Sequence, residues 1–170
     1  MPKIVAAVLA LLAMTLFAGP ASAQILPRGN VYAGVSYGQF TNVVNKQSYR
    51  GWNGSAEALP FARFSHFGVV LDASGYYRSG VTTYNFLLGP RLSTSIGRWR
   101  PFVHAMGGIQ RLTSSGNLYS HTAIDFGGGA DYRLWFKNFS WRLQGDYIHT
   151  HYLSAYQDDY RASTGIVWRF

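Results

Sequence analysis

From residue 24 onward, polar and apolar side chains alternate through segments of about ten residues, and the charges keep to one parity. Such alternation marks strands with two unlike faces, because residues two apart share a face. No stretch shows a helical period. In the third segment Phe67, Val69, Leu71 and Ala73 lie on one face, and Gly68, Val70, Asp72 and Ser74 on the other. The sixth sets Ile124, Phe126, Gly128, Ala130, Tyr132 and Leu134 against Asp125, Gly127, Gly129, Asp131 and Arg133. The seventh sets Trp141, Leu143, Gly145 and Tyr147 against Arg142, Gln144 and Asp146. In the eighth, Tyr160, Ala162, Thr164, Ile166, Trp168 and Phe170 oppose Arg161, Ser163, Gly165 and Val167. Five of the seven acids, Glu57, Asp72, Asp125, Asp131 and Asp146, thus share a face with Arg91, Arg133, Arg142 and Arg161.

Eight strands are expected, at about 30–40, 51–60, 67–77, 82–94, 101–112, 122–134, 139–149 and 160–170. The connections near 61–66, 95–100 and 135–138 are short. Those near 41–50, 78–81, 113–121 and 150–159 are mostly longer and rich in Ser, Asn, Gln and Tyr. Short turns on one side and longer loops on the other suit an all-β, eight-stranded antiparallel up-and-down transmembrane barrel with both termini in the periplasm. Parity alone does not say which face is inside. A soluble secreted barrel carrying an apolar ligand would point its apolar face inward. The charged face is also the one crowded with Gly, and the apolar face carries Trp and Tyr near strand ends. Small residues and paired charges fit a narrow lumen, and aromatics near the ends fit interfacial girdles, which favours the membrane arrangement.

The first 23 residues read as a cleaved signal peptide rather than as part of the fold. Lys3 gives a positive start, Ile4 to Phe17 is an apolar run, and Ala21 and Ala23 are small residues at the recognition positions before Gln24. The run is shorter than the roughly 20 residues that a spanning helix needs. What remains, 24–170, is one domain's length. There is no cysteine, which excludes disulfides, thiolate metal sites, cysteine nucleophiles and a lipoprotein anchor. The net charge of +8 comes from scattered arginines rather than a basic cluster. With export, that argues against nucleic acid and for anionic lipid headgroups or lipopolysaccharide.

The last strand, Ser163-Thr164-Gly165-Ile166-Val167-Trp168-Arg169-Phe170, carries aromatics at its third-last and last positions. Gly165, Ile166, Trp168 and Phe170 resemble the C-terminal assembly signal that the barrel-insertion machinery reads. Further likeness lies in Val31-Tyr32-Ala33-Gly34-Val35-Ser36-Tyr37-Gly38, Leu88-Gly89-Pro90-Arg91 and Pro101-Phe102-Val103-His104-Ala105. It continues in Gly127-Gly128-Gly129-Ala130-Asp131-Tyr132-Arg133, Trp141-Arg142-Leu143, Asp146-Tyr147 and Arg161 through Phe170. Together these segments resemble the outer-membrane β-barrel domain family, the broad group of small OmpA- and OmpX-like barrels. The resemblance covers nearly all of the mature chain. It implies the outer membrane of a Gram-negative-type bacterium, reached through the periplasm. The implied partners are outer-membrane lipid, lipopolysaccharide and the insertion machinery. No peptidoglycan-binding domain is expected after Phe170, a departure from full-length OmpA.

An eight-stranded barrel is just wide enough for its own side chains. Glu57, Asp72, Arg91, Asp125, Asp131, Arg133, Arg142, Asp146 and Arg161 are therefore expected to pair as an ionic plug, since unpaired buried charges cost several kcal/mol each. His104 is expected on the lumen side as a satisfied interior residue. His149 and His151 share a face near Ser154 and Asp158, which raises a lipid-A-modifying hydrolase as the rival function. The chain holds no His-x-Ser pair there, so no catalytic residue is assigned, and no metal or cofactor either. The Gly127–Gly129 run lacks the strand–loop–helix setting and the Lys-Ser/Thr of a phosphate loop; close backbone approach or a barrel bend explains it better. The expected function is non-enzymatic: envelope structure, or surface contact through the outer loops, where Tyr49, Trp52, Tyr119 and Tyr156 are candidate contacts. The surface partner itself is left unassigned.

Overall fold

In a computed structural model, which describes residues 28–41, 46–59, 66–78, 81–114, 117–152 and 155–170, every long element is a strand. The strands are β1 (Gly29–Thr41), β2 (Lys46–Ala58), β3 (Phe67–Arg78) and β4 (Val81–Ser93). They continue with β5 (Trp99–Ser114), β6 (Asn117–Arg133), β7 (Phe139–Tyr152) and β8 (Ala155–Arg169). Each pairs antiparallel with its sequence neighbour, and β8 closes on β1, so no edge is left unpaired. Gly29 and Phe170 lock the seam by exchanging backbone hydrogen bonds of 3.3 and 3.2 Å. The expected signal segment, with Ala21, Ala23 and Gln24, lies outside the described residues.

Register sets the shape of the lumen. Followed around the barrel through Ala58, Val69, Pro90, Ala105, Phe126, Tyr147 and Tyr160, the level of Gly29 returns to β1 at Gln39, ten residues along. That stagger tilts the strands and holds the interior to side-chain width. Burial then follows parity. Asp125 and Asp131 on β6 are 0% and 2% exposed, while Ile124 and Phe126 between and beside them are 45% and 56% exposed. The charged face is inside, the reverse of a soluble barrel built around an apolar ligand.

The strands outrun their expected ends at the rim away from the termini. β5 and β6 pair as far as Ser114 with Asn117, and β7 and β8 as far as Tyr152 with Ala155, through segments expected to be loops. There both faces are polar, so the alternation fades, but the backbone amides still find cross-strand partners. The expected asymmetry of the connections is therefore reversed. Residues 42–45, 79–80, 115–116 and 153–154 join strands at the far rim, against 59–66, 94–98 and 134–138 at the terminal rim. One terminal-rim turn is fully specified. Ile96 and Trp99 exchange backbone bonds of 2.8 and 3.0 Å around Gly97 and Arg98, and Gly97 takes a φ of 62° that a two-residue hairpin needs.

Candidate functional site

The lumen gathers the charges that alternation had placed on one face. Nearest the seam, Asp131 of β6 is held by two arginines. Arg142 of β7 donates to it through Nε (2.7 Å) and Nη2 (3.0 Å), and Arg169 of β8 through Nη2 (2.8 Å). The bidentate fork fixes the guanidinium plane, which is why arginine suits a buried carboxylate. Glu57 of β2 accepts from Arg91 of β4 at 3.3 Å and from the Asn30 amide. Phe102 lies between the two clusters. Arg91 stands 4.3 Å from its ring centre and Arg142 4.7 Å, so each cation gains an aromatic face in addition to its carboxylate.

A second cluster is built on Arg161 of β8, whose three nitrogens each meet a different strand. Nη1 donates to Asp72 of β3 (2.9 Å), Nη2 to Asp125 of β6 (3.1 Å) and Nε to Asp146 of β7. All of these side chains are 0–1% exposed. His104 of β5 sits against the same group, its Nε2 3.0 Å from Asp146 and 3.6 Å from Asp125. The two meet across Gly127, which pairs with His104 on one side and with Asp146 on the other. A Cβ at Gly127 would collide with both, so the glycine leaves the slot in which they touch. Beside the charges, Val70, Leu87, Met106, Ala123 and Ile148 pack as an apolar plug on the same inner face.

Eight of the nine charges expected in the lumen are buried and contact a partner of opposite sign. Arg133 is not among them: it is exposed at the terminal end of β6, where the backbone leaves the barrel. Arg169, which was not among the expected lumen charges, takes the second place on Asp131. It shares the parity of Arg161, so the pattern held that signal. Asp159 is also fully buried and has a partner, although the segment around it was expected to be loop.

The outer face is aliphatic in the middle and aromatic at both ends. Trp99, Trp141, Trp168 and Phe170 are exposed at the terminal rim, and the rings of Trp168 and Phe170 of the terminal motif lie 5.2 Å apart, tilted by 45°. Towards the far rim stand Tyr37, Tyr77, Tyr147 and Tyr160, with Val35, Leu71, Leu88, Val103 and Leu143 between the two bands. Trp52 belongs to the upper band, where its indole donates to the Tyr77 hydroxyl at 3.1 Å. Tyr49, expected as a surface contact, is instead 3% exposed and packs on Tyr76 inside the barrel. Tyr119 is exposed, and the Tyr156 side chain lies outside the described residues. His149 is on the outer face, with Nδ1 2.8 Å from Asp158; the same carboxylate accepts from Tyr147 at 2.6 Å. The side chains of His151 and Ser154 lie outside the described residues.

No protein-family model and no curated protein sequence matches the chain. Solved structures do match. Neisserial surface protein A gives a TM-score of 0.69 at 14% identity, over 84% of this chain and 97% of that one. The N-terminal β-barrel domain of OprF from Pseudomonas aeruginosa gives 0.59 at 16% identity, over 84% and 99%. Ail, the attachment invasion locus protein of Yersinia pestis, gives 0.53 at 15% identity, over 86% and 100%. At such identities the likeness is one of fold. Matched along nearly the whole of each of these chains, and closed β1 to β8 in sequence order, the protein has the fold of the small eight-stranded outer-membrane β-barrels.

Proposed function

We propose that the protein is a non-enzymatic integral barrel of a bacterial outer membrane, its lumen closed by its own charges and its contacts made at the far rim. One observation carries the reading, and it is the inverted polarity. Arg91, Arg142 and Arg161 are at most 2% exposed, while Leu71, Leu88 and Leu143 are 56–57% exposed around the wall. In water each exposed leucine would forgo roughly 25 cal/mol for every Å² left uncovered. Against acyl chains that surface is matched, and the two aromatic bands sit where an interface would hold them. The proposed surroundings are outer-membrane lipid and lipopolysaccharide, reached through the periplasm with the insertion machinery reading the Trp168/Phe170 strand. The role in the cell would be envelope integrity or surface contact.

The test is reconstitution into vesicles of lipids brominated along the acyl chain. Fluorescence from Trp99, Trp141 and Trp168 should be quenched, because bromine collides with indoles at the edge of the hydrocarbon. Unquenched emission from a monomer that stays in the aqueous phase would sink the proposal. The rival lipid-A hydrolase draws support from the His149–Asp158 pair on the outer face, where an outer-leaflet substrate would lie. It lacks a His-x-Ser nucleophile arrangement in the sequence.

A further inference from the structure

The cluster on Arg161 carries a surplus of negative charge. Asp72, Asp125 and Asp146 all contact this one guanidinium, and among the described residues no other arginine contacts them. With a neutral His104, two charges remain uncompensated in a fully buried group, and such charges must be paired or ligate an ion. Three of the polar atoms are also unused. Both ring nitrogens of His104 and Asp125 Oδ1 make no hydrogen bond, although both side chains are 0% exposed. Nε2 lies 3.0 Å from Asp146 Oδ1, yet the contact is too far out of line for a ring N–H bond.

The spacing suits something placed between them. One donor atom from each of His104, Asp125 and Asp146 lies within 4.8 Å of the other two. Metal–ligand bonds of 2.0–2.2 Å at tetrahedral angles put neighbouring ligand atoms about 3.3 Å apart, and the line joining two ligands then leaves each bond by about 35°. The contacts from Nε2 of 3.0 and 3.6 Å bracket that edge. The second oxygens of Asp125 and Asp146 are held by Arg161, which orients the first oxygens as outer-shell partners do.

We propose that His104, Asp125 and Asp146 form a binding site for a divalent transition-metal ion of the zinc class, which cross-links β5, β6 and β7 inside the lumen. One imidazole and two carboxylates select such an ion over magnesium or calcium, which prefer oxygen alone. A divalent ion neutralises the two surplus charges. Ligands on three strands come together only on folding, so binding of the ion is coupled to closure of the barrel.

The experiment uses Co2+ as a spectroscopic probe for zinc. The protein is refolded from denaturant into detergent with Co2+ present, then passed over a chelating resin. Wild-type protein should keep about one Co2+ per barrel with visible d–d absorption. Asp125→Asn and His104→Gln should each fall to under about a tenth of an equivalent. A variant with His66, His121, His149 and His151 all changed to Gln should keep the full equivalent, which separates the lumen site from rim histidines. Folding is judged by the mobility shift between unheated and boiled samples in gels. Should the single variants not fold, 113Cd NMR of wild type decides the matter, one resonance with nitrogen and oxygen ligation being expected. Loss of all Co2+ from folded wild type to the resin, or its loss in the four-histidine variant, would overturn the site and leave two protons, one on His104 and one on a carboxylate of the cluster, as the balancing charges.

Discussion

At the scale of the residue, the buried charges are shared rather than matched one to one: Arg161 serves three carboxylates, and one carboxylate serves two arginines. Asp131 is the clearest case, since Arg142 and Arg169 both donate to it and Arg142 is wholly buried. Removing the carboxylate would leave Arg142 with two weak hydrogen bonds, to Ser55 and Asn30 at 3.5 Å each, and the ring faces of Phe102 and Tyr32. Asp131→Ala should therefore destabilise the folded state by about 3–5 kcal/mol, the usual consequence of breaking one side of a buried pair. A urea refolding titration in detergent measures it. An unchanged midpoint would show that the pair contributes nothing to stability.

At the scale of the element, each strand has one exposed and one buried face, so one-residue steps have opposite consequences. Leu143 is exposed on the wall of β7, and its neighbour Gln144 is buried, donating to both oxygens of Asp146 at 3.1 and 3.0 Å. Leu143→Arg places a charge against hydrocarbon and should cost on the order of 2–4 kcal/mol near the midplane in lipid vesicles. In detergent, where micelles deform around the charge, the penalty should shrink. Gln144→Arg should be equally harmful in both, because it crowds a filled lumen. Equal tolerance of Leu143→Arg in vesicles and in detergent would mean that this face does not meet acyl chains.

At the scale of the whole molecule, the two ionic clusters and the apolar plug occupy the same narrow lumen. Arg161 ties β8 to β3, β6 and β7, and Arg142 reaches from β7 to β6, β2 and β1. These links cross the interior rather than running around the wall, and the proposed function takes them to close the path as well as brace it. Planar-bilayer recording of the wild type should accordingly show no steady open conductance. A sustained open level would mean that the charged side chains line a passage instead of filling it.

Alternation with a period of two is a local property, so the sequence alone determined the number of strands, their two faces and which residues share each face. It also marked Arg161, Arg142, Asp125, Asp131 and Asp146 as neighbours of one interior, and Trp168 and Phe170 as residues of the opposite face. What it could not determine was pairing across the lumen. Arg161 meets Asp72 from 89 positions away and Arg142 meets Asn30 from 112. Such meetings depend on the stagger accumulated over eight registers, to which every hairpin contributes. Arg133, at the last position of β6, falls outside the network, and Arg169 enters it. Strand length at the far rim was hidden for a different reason. Where both faces are polar the alternation vanishes, while backbone pairing, which is indifferent to side chains, carries the strands on. Only the closed structure turned a charged face into a lumen, because inside and outside are properties of the barrel and not of any strand within it.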